Sequence, residues 1–416
     1  MIDLTSSNNS RHSSHIVDRA ESRFPIFEQL PSDLIKTIAL LLDPKEVLNL
    51  RLVNKRCYQS VSESMPEGIR KVFKNLSDQR PDNVLHTMFD HATPQIQSQA
   101  LIWASINNKL EYIQMFHQRN VDLDIQNDKG FTALMVAVRK GHVDIVRALI
   151  AAGAELDLQD TTGDTALVKA AEEGYLGIVQ ELITAGAKPD LQETPNDTAL
   201  MAAARKGHVD IVRALIAAGA DLDLQDNTGD TALMVAARQG YVDIVRALII
   251  AGADLDLQDT YGYTALMWAE KEGYLNIVQE LITAGAKLDL RKDCTVLMWA
   301  AERGYLDIVR VLIAAGAELD LQETNGYTAL MLAARKGLVD IVQELIAAGA
   351  DLDLQDTTGN TALIVAVDRC YEKTAQVLIE AGTDLNIQNK EGKTALTIAQ
   401  EKSLDEIVHM LNPAMQ

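Results

Sequence analysis

One interval governs this sequence. Threonines stand at Thr132, Thr165, Thr198, Thr231 and Thr264, each 33 residues after the last. After one step of 31 to Thr295, the interval of 33 resumes at Thr328, Thr361 and Thr394. Each opens a stretch that differs little from residues 227–259, NTGDTALMVAARQGYVDIVRALIIAGADLDLQD. A fixed period of this length means small units that stack into a solenoid, because no single unit can bury its own apolar face.

Within the period the residues spell helix, turn, helix and extended arm. Thr231 is an N-cap for a helix from Ala232, and Gly240 ends that helix where a left-handed residue is needed. Tyr241 to Ile250 forms the second helix, with Ile244, Val245, Leu248 and Ile249 on one face. Gly252 terminates it. Leu255 and Leu257 then alternate with Asp254 and Asp256, which predicts a short hairpin arm tipped by a turn around Gly262, as around Gly229 before it. Paired alanines such as Ala236 and Ala237 let neighbouring helices approach closely. The pattern G-x-T-A-L-M-x-A-A-x-x-G-[HY]-x-x-I-V-x-x-L-I-x-A-G-A-D resembles the ankyrin repeat, with Thr-Ala-Leu-Met where that family has Thr-Pro-Leu-His. The resemblance implies an all-α ankyrin-repeat solenoid of helix-turn-helix units with short β-hairpin tips over residues 95–413. The first and last units are worn: Asn108, for instance, takes the place of Gly141. Counting both gives ten units.

Charge and composition narrow the function. Of the net −21, none arises in residues 1–94, which hold 12 basic and 12 acidic side chains; residues 95–416 hold 26 against 47. Much of the excess lies in the Asp-Leu-Asp arms. Such acidity repels phosphates, argues against nucleic acid, and fits a protein-binding surface. Cys57, Cys294 and Cys370 have neither metal-ligand nor redox spacing and read as reduced thiols in a cytoplasmic setting. No apolar run approaches the ~20 residues of a membrane span, and the first residues lack an apolar signal core. No Walker-type motif, zinc spacing or nucleophile elbow occurs, and His142 and His208 occupy the regular [HY] position. No enzyme, cofactor or metal site is expected.

Residues 1–23 are polar and Ser/Asn-rich and read as disordered. From Phe24 the periodicity is helical. Leu34, Ile35, Ile38, Leu41 and Leu42 share a face, and Asp43-Pro44-Lys45-Glu46 is a compact helix start with Glu46 closing a capping box. Three short helices here carry more apolar surface than they can bury alone, so they need a partner, either the solenoid or another protein. Leu30, Pro31, Asp33, Leu34, Ile35, Ile38, Leu42, Asp43, Pro44, Leu50, Val53 and Lys55 match the pattern of the F-box, which residues 24–62 resemble. Cys57 stands where many members of that family carry tryptophan. The resemblance implies docking on the Skp adaptor of a cullin-based ubiquitin ligase through Leu30, Pro31, Leu34, Ile35, Ile38, Leu42, Val47, Leu48, Leu52, Val53 and Cys57, with the solenoid capturing a target. The alternative is an ankyrin scaffold or inhibitor whose N-terminal helices only cap the stack. Residues 63–94 read as a helical spacer. The order of F-box then ankyrin array is similar to effectors of intracellular bacteria, which would place it in a host cytoplasm.

Near-identical copies make their differences informative. Four places after each threonine stand Val136, Lys169, Ala202, Val235, Trp268, Trp299, Leu332, Val365 and Ile398, with Trp103 at the counterpart in the first unit. Acceptance of Lys169 predicts that this slot is not fully buried. The residue before the threonine also varies, and the resemblance places both positions on the concave face. Tyr261, Tyr263, Trp268, Trp299 and Tyr327 thus cluster on three consecutive units as a candidate target-protein-binding patch with hot-spot composition. The alternative is that these rings only pack on the neighbouring arm. Arg139-Lys140, Arg205-Lys206, Arg238, Lys271, Arg303, Arg335-Lys336 and Arg369 close the first helices as a candidate basic stripe, interrupted by Glu172, Glu173, Glu272 and Glu302. Cations at helix C-termini are favoured by the dipole alone. Three edits break the period: a unit around Thr295 short of two residues and its turn glycine, Asn196 at a turn-glycine position, and Cys370 at a helix-ending glycine.

Overall fold

A computed structural model describes residues 94–191, 197–290 and 294–412. They form twenty α-helices in ten consecutive pairs, with no strand among the described residues. The residues expected to dock the Skp adaptor, from Leu30 to Cys57, lie outside the described residues, as do Asn196 and the shortened tip before Thr295.

The helices are short because both ends are written into the sequence. Thr231 Oγ1 accepts a hydrogen bond from Met234 N, and each threonine of the period does the same for the residue three places on, at 3.2–3.4 Å. At the other end Gly240 takes φ +80°, the left-handed cap that glycine adopts without strain. Cys370, Asn108 and Ser403 hold the same geometry without glycine, at φ 62°, 54° and 56°. The stack imposes the turn even where the favoured residue is missing.

The arms differ from the expected hairpins. Asp226 N donates to Asp230 O at 3.0 Å and Gly229 N to Asp226 O at 2.9 Å. Asp226 Oδ1 meanwhile accepts from Thr228 N and Asp230 N at 2.8 and 2.9 Å. This aspartate-centred turn satisfies its backbone within five residues, so no ladder forms.

The described residues divide into two compact units, the first comprising those up to Ala170 with Gln180–Ala187, the second Ala171–Val179 with those from Lys188 on. In the first, helix Pro94–Ile106 packs on Ala133–Arg139, and Leu110–Gln118 on Val143–Ala151, around Ile113, Phe116, Leu134, Ile145 and Leu149. In the second, first helices stack on first helices and second on second; Ala232–Gln239 lies between Ala199–Lys206 and Ala265–Lys271. Flanked on both sides and backed by its own partner helix, the run Ala232 to Ala237 is buried on every face, which is why all six residues are small or apolar. Its partner Val242–Ala251 keeps one face in water and fully buries only Ile244, Val245 and Leu248. Truncating one of these buried leucines to alanine costs about 2–5 kcal/mol.

Polar groups stitch successive repeats of the second unit together. Asp223 Oδ1 accepts from Asp254 N, Asp256 Oδ1 from Lys287 N, Asp320 Oδ1 from Asp351 N and Asp353 Oδ1 from Asp384 N, each at 2.9 Å. Gln225 Nε2 donates across to Gln258 O at 2.9 Å. Gly229 admits the next arm: a Cβ there would sit 2.7 Å from Thr260 N, which donates to Thr228 O. At the [HY] position His208 covers Gly174, and its Nε2 donates to Glu172 O at 3.2 Å, which fixes the tautomer and leaves the ring a structural part.

Candidate functional site

Asp259 organises the aromatic patch. Its carboxylate is buried, and Oδ1 accepts from Tyr261 N and Tyr263 N at 2.8 Å, which sets the arm tip. Its other oxygen accepts from Trp268 Nε1 at 3.0 Å. Tyr263 then lies between two tryptophans, its ring centre 5.0 Å from Trp268 and 5.1 Å from Trp299, tilted by 33° and 40°. Both separations fall in the favourable range for aromatic pairs. All three rings are half-buried. The structure therefore brings Tyr263, Trp268 and Trp299 together. Tyr261, in the same tip, stands 71% exposed. Tyr327 meets the Arg335 guanidinium, 4.8 Å from its ring centre, instead of another ring. Trp103 serves the first unit internally, edge-on to Tyr112 at 6.1 Å.

The slot that carries these tryptophans is open in some copies, as expected, and closed in others. Ala202, Val235, Leu332, Val365 and Ile398 are buried there, Val235 completely. Val136, Lys169, Trp268 and Trp299 are half-buried at the same slot, so its cover differs from copy to copy. Lys169 is tolerated because two carboxylates receive it: its Nζ pairs with Asp164 and lies 3.1 Å from Asp160 Oδ2. Burial alone would raise Asp160, yet the bonds from Thr162, Asp164 N and Lys169 hold it below its ordinary value.

Half of the basic stripe is neutralised from within. Arg205 reaches Asp197 at 2.6 Å and Asp226 at 3.5 Å, and the bonds to Asp197 raise its affinity for the proton. Arg238 pairs with buried Asp230 at 2.7 Å, Lys206 with Glu172 at 3.3 Å, and Arg335 and Lys336 share Glu302 at 2.8 and 3.6 Å. Two of the glutamates that interrupt the stripe in sequence, Glu172 and Glu302, are its counter-ions in space. Lys271 and Arg303 make no ion pair among the described residues. Lys271 Nζ lies 4.4 Å from the Trp268 ring centre and 5.2 Å from that of Tyr263, and Arg303 Cζ 5.6 Å from that of Trp299. Arg238 covers Trp268 as well, at 4.7 Å.

One residue of this region escapes a reading by motif. Glu270 occupies the second alanine position of the pair, held by Ala171, Ala204, Ala237, Ala301 and Ala334 in other copies. It is 0% exposed, and neither carboxyl oxygen has a hydrogen-bond partner. Burial pushes this carboxyl up to about 8, with the Arg303 charge offsetting only part of the effect. Comparison of each alanine pair across the copies is the signal that finds it.

Nothing in this geometry assembles a nucleophile and base, and among the described residues no group of His, Cys, Asp or Glu could hold a metal ion. No described helix is long and apolar enough to cross a membrane.

Comparison with known proteins bears on both parts of the chain. The family model for ankyrin repeats in three copies matches residues 101–193, 167–259, 200–292, 243–323, 297–389 and 330–414, and the F-box domain model matches residues 27–67. Mouse and rat ankyrin repeat and SAM domain-containing protein 6 are 30% and 29% identical over 120 residues. That match spans 29% of this chain and only 13% of theirs. The crystal structure of the human ASB11 ankyrin repeat domain is 26% identical and covers 52% of this chain and 99% of its own, with a TM-score of 0.47. Ankyrin repeats and F-boxes are typically non-catalytic modules of protein interaction, and neither match points to an enzyme.

Proposed function

Because this chain belongs to the ankyrin-repeat family and carries an F-box over residues 27–67, we propose that it is a substrate-recognition adaptor of a Skp–cullin–F-box ubiquitin ligase. The F-box docks the Skp adaptor through the faces of Leu30, Pro31, Leu34, Ile35, Ile38, Leu42, Val47, Leu48, Leu52, Val53 and Cys57. The repeats hold a target protein at Tyr261, Tyr263, Trp268, Trp299 and Tyr327. The observation that carries the reading is the pairing in one chain of an adaptor-docking module with an array whose only chemistry is surface. Ubiquitin transfer belongs to other subunits, and this chain contributes proximity. It works in the cytoplasm, where the ligase is, and in a host's cytoplasm if it is a secreted bacterial effector.

Co-purification with the Skp adaptor tests the proposal. The wild-type chain is expected to bring the adaptor down, and Leu30→Ala/Pro31→Ala to lose it. An adaptor absent from the wild-type eluate, or equally present with the double variant, sinks the reading and leaves a scaffold or inhibitor without ligase recruitment.

A further inference from the structure

The uneven neutralisation of the basic stripe points to the chemistry of the captured segment. Along the second unit Lys206, Arg205, Arg238, Arg335 and Lys336 all have carboxylates of their own chain. Lys271, Arg303 and Arg369 do not among the described residues, and of these only Lys271 and Arg303 lie on aromatic rings. The two are tied to one another, Arg303 Nη1 donating to Lys271 O at 2.7 Å. Glu270 beside them gives no counter-charge, because a carboxyl in so dry a site holds its proton at neutral pH.

We propose that the face across Trp268 and Trp299 receives an acidic segment of a partner protein, whose carboxylates pair with Lys271 and Arg303 while its apolar side chains meet the rings and Tyr261. The proposal rests on the capture reading above and adds the charge of what is captured. In a chain of net charge −21 these two cations coincide with the aromatic ladder, whose own carboxylate, Asp259, is held by Tyr261 N, Tyr263 N and Trp268 Nε1. The ring faces hold both cations in place before binding, which lowers the ordering cost of the pairs. Lys271 is half-buried, so a carboxylate meets it at reduced dielectric. A long polyanion fits poorly: beyond these two cations it would pass over Asp230 and Glu302, already paired in the chain, and gain nothing. A short acidic stretch with apolar side chains between its carboxylates fits both features.

Selection of random displayed peptides on the full-length chain, with each enriched peptide then titrated by fluorescence anisotropy, tests this. Enriched peptides are expected to cluster Asp and Glu around apolar residues. Lys271→Glu/Arg303→Glu should weaken them about tenfold or more, the milder Lys271→Gln/Arg303→Gln less, and added salt should weaken them further. Lys206→Gln, which removes a cation already paired, should change binding less than about threefold. Circular dichroism confirms that each variant is folded. Neutral or basic peptides that are lost with Trp268→Ala/Trp299→Ala but ignore the charge reversal would overturn the inference while leaving the capture face intact. Peptides indifferent to the tryptophans, or no enrichment at all, would remove the face itself. Oligothymidylate binding, or a dimer seen by sedimentation, that disappears with the charge reversal would reassign the two cations and overturn the proposal.

Discussion

Replacing Glu270 gives the sharpest test of the physical reading of this array. Its carboxyl is fully buried, unbonded and raised from 4.5 to about 8. Folding therefore takes up a proton that the unfolded chain releases near its ordinary carboxylate value. The sign follows: Glu270 is least harmful below about pH 4.5, its burden grows as pH rises, and the burden levels off above about pH 8. At about 1.4 kcal/mol for each pKa unit, the full span is roughly 5 kcal/mol, of which roughly 3 is already lost at neutral pH. Glu270→Gln keeps the shape and abolishes the titration. Glu270→Ala restores the residue of five other copies and should stabilise by roughly 2–4 kcal/mol above about pH 8, while changing little near pH 5. Glu270→Gln leaves every other ionisable side chain in place, Arg238, Glu280, Glu302 and Arg303 on the neighbouring helices included, so its difference from wild type isolates one group. Repeat arrays can unfold piecewise, so urea midpoints between about pH 5 and pH 9 should be read beside hydrogen exchange in helices Ala265–Lys271 and Val296–Arg303. Wild-type and Glu270→Gln midpoints that run parallel across that range would show that the carboxyl is solvated or paired, and the reasoning would fail.

Cys370→Gly removes a side chain from a left-handed position at φ 62° and should raise stability by about 1 kcal/mol in thermal melts. Gly229→Ala does the reverse and worse: φ is +79° and the new Cβ would meet the Thr260 backbone at 2.7 Å, so a loss above ~1 kcal/mol is expected, and an unchanged melt would refute the close approach. Thr231→Ala, which unmakes a buried N-cap, should cost about 1 kcal/mol in urea unfolding. Arg246→Ala breaks an exposed pair with Glu280 and should cost less than about 1 kcal/mol, falling with added salt.

The repeat itself was legible to the level of single caps. Thr231, Gly240 and the burial of Ile244, Val245 and Leu248 all follow from spacing, because these signals act within a few residues of chain. Relations between copies were not. Asp223 looks like surface charge in one repeat and becomes a hydrogen-bond acceptor only when Asp254 N of the next arrives. Lys169 marked its slot as open, since nothing local shows that Asp160 and Asp164 will receive it. The stripe of cations was visible and its counter-ions were misread as gaps, because Glu302 lies a full period away from Arg335. Of the aromatic patch, its membership in three units was legible, but the contact of Tyr263 with both tryptophans depends on how two arms close together.

Those cross-copy contacts change what the acidity of the chain means. An aspartate that accepts a backbone N–H from the next unit, as Asp223, Asp256, Asp320 and Asp353 do, is fixed by the stack and cannot also reach a partner without opening that bond. The arm carboxylates at Asp226 and Asp230 are likewise engaged by Arg205 and Arg238. Net charge therefore describes the long-range field, which repels polyanions, and says little about which side chains can bind. Among the described residues of the second unit Lys271, Arg303 and Arg369 have no carboxylate partner, and the first two lie on aromatic rings beside the exposed Tyr261 and two half-buried tryptophans. Glu270, buried beside them and raised to about 8, adds no carboxylate to pair with them at neutral pH. In an array whose shared residues specify only stacking, a buried carboxyl beside the two ring-held cations is a departure that costs stability, and the Glu270 variants measure that cost.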